Sequence, residues 1–495
     1  MTATPESQSG TPRWCAPTVT IVFVLITLPR LFAHELWRDE AWLWLVAVDS
    51  RSLHDFLIPL GRSGQGYLFP LLCFAARQIS TSPTSLQLLH LAVAAGATHL
   101  FARFAPGPVW MRALAIAGYF PFYEYAVISR HYALGVALIW LLVAALARRR
   151  VIWAGMALAL LCQTTVYGFL VGVAVAAGWW VGRDRTAAPP APRDLVPATA
   201  MAVAGAIAGL VQLIPEPGTT FAPDWRTSWD GAQALAVLAM PWKAFVPVPQ
   251  LTRPFWNTNV LDAWPTAQAT LGVATVAVAV ALLRHSRAAA VTFAMGVAGL
   301  SAFAYVKLVG GLRHEGHLWI LFLASLWIGG AKISAMGWRR AVVTGWLALQ
   351  GVAGLYASAV DLAAPFSNAT TAAALLRSTG LDRLPVVGHR EPPAASVSLA
   401  LGTGLYAPSR HRMARYPDWG PDQHELAPQA FRCALASLAA RTSSDLALVM
   451  SYALPPWPEL ERVAATTGAI VPSEDYVIYV RHRRDIEDCL MVNGH

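Results

Sequence analysis

The chemistry-bearing residues of this chain fall in three short polar clusters, each where an apolar stretch ends. The first, Trp37-Arg38-Asp39-Glu40-Ala41-Trp42, sets two carboxylates side by side. In that setting Asp39 suits a general base toward an acceptor hydroxyl, and Glu40 a second acceptor or a ligand to a divalent metal. The same pair also suits the start of an interfacial helix, where carboxylates favour the N-terminal dipole. The second cluster is Tyr123-Glu124-Tyr125 followed by Ser129-Arg130-His131-Tyr132. A cation at a helix N-terminus opposes the dipole and asks for an anion nearby; a guanidinium grips phosphate through a two-pronged fork, and His131 and Tyr132 can complete the set. Its plainer reading is an arginine reaching the lipid headgroups among belt aromatics. The third is Arg313-His314-Glu315-Gly316-His317, with Lys307 just before it. His314 and His317 share a helix face at i, i+3, but two ligands are thin grounds for a metal, and phosphate binding by Arg313, His314 and His317 is the stronger expectation. Gln163-Thr164-Thr165-Val166-Tyr167 is a further polar break, equally a capped turn or a substrate contact.

The elements that must position these clusters are membrane helices. Apolar residues make up 56% of the 495 and charged residues 13%, about half the charged share of a soluble protein. Mean hydropathy is +0.46. A spanning helix needs about 20 mostly apolar residues, and such runs lie near 18–36, 67–80, 84–104, 109–128, 131–147, 151–166, 167–182, 194–214, 266–283, 288–308, 317–335 and 341–360. The expected fold is mainly α, a polytopic bundle of about 11–12 helices over residues 18–360. A cytoplasmic tail (1–17) precedes it, and outer loops at 37–66 and 215–265 interrupt it. The first run lacks a small-residue cleavage site and reads as an uncleaved span. In the first loop, Trp42, Trp44, Leu45 and Val48, then Leu53, Phe56 and Leu57, recur at helical spacing and predict helices lying in the interface.

The net charge of +9 does not point to nucleic acid, because its arginines sit at helix ends: Arg148 to Arg150, Arg183 and Arg185, Arg284 and Arg287, Arg339 and Arg340. By the positive-inside rule these ends are cytoplasmic. Arg130, the 215–265 loop, Arg313 and the C-terminus then face outward. That parity requires one of the three apolar segments between the first loop and Arg130 to be short, broken or re-entrant.

From 361 to 495 the apolar runs shorten to strand length, at 385–388, 446–450 and 476–480. Helical patterns lie between them at 368–379, 427–440 and 458–466, which predicts a small extracytoplasmic α/β domain, a three-layer sandwich. The five cysteines show no metal spacing; Cys433 and Cys489 fall in this domain, where they could pair.

In this order the clusters resemble the GT-C superfamily of polytopic glycosyltransferases, whose protein O-mannosyltransferases and lipid A aminoarabinose transferases carry an acidic pair in the first outer loop. Here that pair is Asp39-Glu40. The chain is similar to a bacterial branch with a DEAW-type loop, an S-R-x-Y-A-L segment (Ser129 to Leu134) and an R-H-x-G-H segment (Arg313 to His317). The resemblance covers roughly 18–360. It implies transfer of a sugar from a polyprenyl-phosphate donor to a lipid, glycan or protein acceptor outside the cell membrane, with no obligatory cofactor beyond a possible divalent metal. Such proteins often carry His-Pro after Gly at the start of the second helix; Gly64-Gln65-Gly66-Tyr67 stands there instead, which removes a titratable group. A transporter would show internal repeats and ionisable residues at the bilayer midplane, neither of which is visible. A non-catalytic subunit of cell-envelope glycan assembly is the other alternative.

Overall fold

A computed structural model describes residues 14–183, 190–220, 225–330 and 337–483. Most of the tail, Arg185 and Cys489 lie outside them. Helix α1 (Cys15–Ala33) leads into α2 (Arg38–Asp49) and α3 (Leu53–Ser63), then α4 (Leu68–Ala76) and α5 (Thr84–Phe104). α6 (Val109–Ile116) is followed by a π-helical turn at Phe120–Glu124. After it come α7 (Tyr132–Ala147), α8 (Val151–Leu161), α9 (Val166–Gly182) and α10 (Pro192–Leu213). α11 (Gly231–Phe245), α12 (Pro265–Leu283), α13 (Arg287–Val306), α14 (Leu312–Gly329) and α15 (Gly337–Ala363) complete the helical part.

Among the described residues, six helices are long and apolar enough to cross a membrane: α1, α5, α10, α12, α13 and α15. Eleven or twelve were expected. The remaining apolar runs form shorter helices, such as the 11-residue α8, which rises about 16 Å against a hydrocarbon core of about 30 Å. Three of these shorter helices, α7, α8 and α9, are apolar along their length, and α7 is packed by protein on nearly every side. The nine residues of α4 rise about 14 Å, far too short to cross, and 109–128 is broken at its π-turn.

The first loop is helical, as its periodicity predicts, but α2 does not lie open on a surface. Glu40 through Ala47 are all buried, because Leu399, Tyr416 and Trp419 from the C-terminal domain cover Trp42, Trp44 and their neighbours. The 215–265 stretch is likewise more than a loop. It contains α11, which packs against α12 and α14.

The C-terminal domain is an α/β unit with α16 (Ala369–Ser378), α17 (Glu391–Leu401) and α18 (Pro428–Thr442). Its strands are β1 (Val386–His389), β2 (Leu405–Ala407), β3 (Arg412–Ala414), β4 (Leu446–Met450), β5 (Leu460–Ala465) and β6 (Val477–Arg481), in the order β3-β2-β1-β4-β6-β5. β1 runs parallel to β2 and β4, and the other pairings are antiparallel. Alternate residues serve the two faces, as strand pleating dictates. Val386, Ala447, Val449 and Ile478 pack under α16 and α17, whereas Val387, Leu446, Leu448 and Tyr479 pack under α18. Three layers result. The expected helix at 458–466 is instead strand β5, paired with β6.

Candidate functional site

Helix α1 stops at Ala33, and Trp37 adopts an extended conformation that redirects the chain into α2. At the third position of α2, Glu40 turns its carboxylate back to accept the Trp37 N–H at 3.3 Å, satisfying a donor that the helix start leaves over. Asp39, the residue before, points elsewhere. The two carboxylates therefore do different work.

Glu40 is fully buried. One oxygen accepts the backbone N–H of Ser129, the residue before Arg130. The other lies 3.2 Å from His34 Nε2, and His34 Nδ1 lies 2.9 Å from Asp361 Oδ2 on α15. An imidazole held between two carboxylates donates from both nitrogens and is therefore protonated. Burial opposes that charge, but Asp361 and Glu40 outweigh it and push the His34 pKa up to about 10. Both oxygens of Glu40 are engaged, and they tie the start of α2 to the segment carrying Arg130. Among the described residues no group of three or more His, Cys, Asp or Glu side chains is gathered to hold a metal.

Asp39 faces the cations. Its Oδ2 is ion-paired with Arg130 Nη1 and lies 3.7 Å from Arg313 Nη2. Burial works against its ionised form, yet Arg130, Arg313 and Arg38 together hold its carboxyl below the usual range. The guanidinium of Arg313 also sits 5.4 Å from the ring of Trp37 and 5.2 Å from that of Trp256, within cation–π range. Those two rings meet edge to face at 4.7 Å.

Local backbone chemistry sets the first turn of α14. Gly310 takes a left-handed φ of 71°, Asn257 Oδ1 accepts the Leu312 N–H at 3.0 Å, and His314 Nδ1 accepts the Gly311 N–H at 2.9 Å. A His314 that accepts at Nδ1 carries its proton on Nε2. Nε2 lies 2.9 Å from the Tyr132 hydroxyl, which also bonds the Arg313 side chain. The Tyr132 oxygen thus receives two donors and keeps its own hydrogen to offer. Gly316 permits the close approach of α14 to the π-turn. A Cβ there would lie 2.4 Å from the Phe120 ring and 2.5 Å from the Tyr125 hydroxyl.

The structure therefore brings together Asp39, Arg130, Tyr132, Arg313 and His314. His317 stands one turn behind, with Nδ1 3.1 Å from the His314 carbonyl and 3.4 Å from the Tyr125 hydroxyl. His131 is buried against the Tyr132 ring at 4.4 Å. Lys307 lies over Trp225, and Glu315 is nearest in charge to Lys243 and Asp262. Of the polar break at 163–167, Thr165 caps α9 through the Gly168 N–H at 2.9 Å and Gln163 bonds Gly205 and Gln212. Tyr167 stacks on His317 at 5.2 Å and lies 4.9 Å from His314.

Sequence reasoning missed His34, Asp361 and Trp256, and it missed the reach of the C-terminal domain into the site. Arg38 donates to Ser473 and, at 2.8 Å, to Glu474. Burial raises the Glu474 pKa despite Arg38. Glu474 also accepts from Ser367 at 3.0 Å and Tyr476 at 2.8 Å, so this domain anchors the residue beside Asp39. A charged residue ahead of an acidic pair, Arg38, was the available signal, but nothing local names its partner 436 residues on. No model of a known protein family matches the chain, and no curated protein matches it either.

Proposed function

We propose that this chain is a membrane glycosyltransferase that moves a sugar from a polyprenyl-phosphate-linked donor to an acceptor hydroxyl on the outer side of the cell membrane. The observation that carries the reading is the meeting of Arg130 and Arg313, from segments 183 residues apart in sequence, on the single carboxylate of Asp39. Both arginines stand where apolar helices begin. An anionic headgroup whose tail lies in the bilayer reaches that level, whereas a soluble nucleotide-sugar is not generally available on the outer side. Arg130, Arg313 and the spare hydrogen of Tyr132 would hold the phosphate and stabilise it as it leaves. Asp39 would take the proton of the acceptor hydroxyl as its oxygen bonds the anomeric carbon and the sugar–phosphate bond breaks. The rings of Trp37 and Trp256 would wall the sugar.

The resemblance to GT-C transferases supports the same assignment, since the acidic pair and the two arginine segments come in that order. The nine-residue α4 agrees with the outward orientation, since the arginine parity requires one of the three segments between the first loop and Arg130 to fall short of a full crossing. The test is direct. Purified protein in lipid nanodiscs is given a panel of polyprenyl-phosphate sugars with lipid, glycan and peptide acceptors, and transfer is read by mass spectrometry. Transfer that is lost in Arg313→Ala supports the reading. A wild type inactive with every donor refutes it and leaves a non-catalytic role in envelope assembly.

A further inference from the structure

We infer that Asp39 is the resident counter-ion of an anion site, displaced from Arg130 and Arg313 when a phosphate-bearing ligand enters. The inference rests on the transferase reading for the identity of its ligand but not for its geometry.

Three features carry it. First, the nearest approach of each arginine is to the same oxygen, Asp39 Oδ2, with Arg130 close and Arg313 at 3.7 Å. A carboxylate offers two coplanar oxygens and one charge. A phosphate directs its free oxygens tetrahedrally, two on the diester of a lipid-linked sugar and three with up to two charges on the monoester it leaves behind, so that each guanidinium fork can take its own oxygen. Second, the side chains concerned are accessible: Asp39 is 28% exposed, Arg313 19% and Arg130 14%. Glu40 beside them is sealed. The ion pair can therefore open without breaking the anchored part of the loop. Third, the remaining nearby cation is already committed, because Arg38 is held by Glu474 and Ser473 of the C-terminal domain. Once Arg130 and Arg313 turn to a phosphate, Arg38 still acts on Asp39 through its charge, but its direct contacts stay with Glu474 and Ser473.

The exchange orders the reaction. While Asp39 is paired, the arginines hold it ionised and make it a poor proton acceptor. When phosphate takes the arginines, the carboxylate is freed beside the bound donor and its basicity rises. Donor binding thus arms the base, and an acceptor hydroxyl arriving earlier meets a spent carboxylate.

The test measures anion affinity rather than transfer. Full-length protein in nanodiscs, at low ionic strength, is titrated with dodecyl phosphate and separately with inorganic phosphate. Asp39→Asn removes the competitor, so Kd for dodecyl phosphate should fall about tenfold, the lower range for a charge-assisted bond. Asp39→Glu keeps a counter-ion and should stay within about threefold of wild type. Asp39→Ser serves as the second neutral variant if the asparagine form loses thermal stability. Tightening with dodecyl phosphate alone assigns the site to a lipid-borne phosphate, and tightening with both probes to the phosphate group itself; either supports the displacement. Unchanged or weaker binding in both neutral variants overturns it. The two readings fail separately. Tighter binding without transfer from any donor sinks the transferase, whereas transfer by the wild type without tighter binding in the variants sinks the displacement.

Discussion

Replacing Glu40 by glutamine separates a positioning role from a metal-binding one. The glutamine keeps the size of the side chain but turns one acceptor oxygen into an NH2 group. Glu40 serves three partners, the N–H groups of Trp37 and Ser129 and the ring of His34, and an amide cannot serve all of them. His34 is then left with Asp361 as its sole carboxylate, in a site closed to water. Breaking a buried ion pair by removing one partner costs about 3–5 kcal/mol, and the surviving Asp361 contact places the expected loss near the lower end. The pH dependence gives a second readout. His34 has a folded-state pKa raised to about 10, so its contribution is complete below its ordinary value of about 6.5 and is lost as pH rises from there through 10. In Glu40→Gln the folded-state pKa drops, and the decline in stability over that window becomes shallower than in wild type. Reversible unfolding in mixed micelles, titrated with SDS between pH 6 and 10, measures both effects. A variant as stable as wild type, or a wild type stabilised by Mn2+ in a Glu40-dependent way, would refute the positioning assignment.

Three other expectations follow from the same geometry. Asp39→Asn should lower sugar transfer by ~10²–10⁴-fold while leaving the fold intact, and Arg130→Ala should weaken donor binding as well as turnover; separate binding and single-turnover assays distinguish them. Gly316→Ala forces a methyl against the Phe120 ring and the Tyr125 hydroxyl, so thermal unfolding should shift down by an amount equivalent to about 1–3 kcal/mol, with transfer reduced because the first turn of α14 moves. A cysteine placed at Val463, an exposed position on β5, should react in intact cells with a membrane-impermeant maleimide; labelling only after lysis would reverse the proposed orientation.

Much of the helical part was legible because a single physical signal, a long apolar run ended by polar residues, writes each helix. The run at 84–104 matches α5 at both ends, and most others agree within a few residues. The same signal fails at 67–80 and 109–128, where apolar residues pack against protein and the helices stay short. In the C-terminal domain Pro458-Glu459-Leu460-Glu461-Arg462-Val463-Ala464-Ala465 is rich in helix formers, yet pairing with β6 overrides propensity. The segment of α17 was not among the expected helices, although its Pro392-Pro393 suits a first helical turn. Of the site, Asp39, Arg130 and Arg313 were readable as charges at the ends of apolar runs. The division of labour between Asp39 and Glu40 was not. It depends on His34 meeting Asp361 across 327 residues, a pairing with no local trace.

The two long-range clamps on the first loop also bear on how the molecule is made. His34 and Arg38 leave the ribosome early, but their partners Asp361 and Glu474 come more than 300 and 400 residues later. Until both have been synthesised, a histidine, an arginine and Glu40 stand at the end of α1 with incomplete charge balance, and α2 lacks the cover it receives from α17. A chain truncated before Glu474 would keep all six candidate spans but would leave Arg38 without its carboxylate partner beside Asp39.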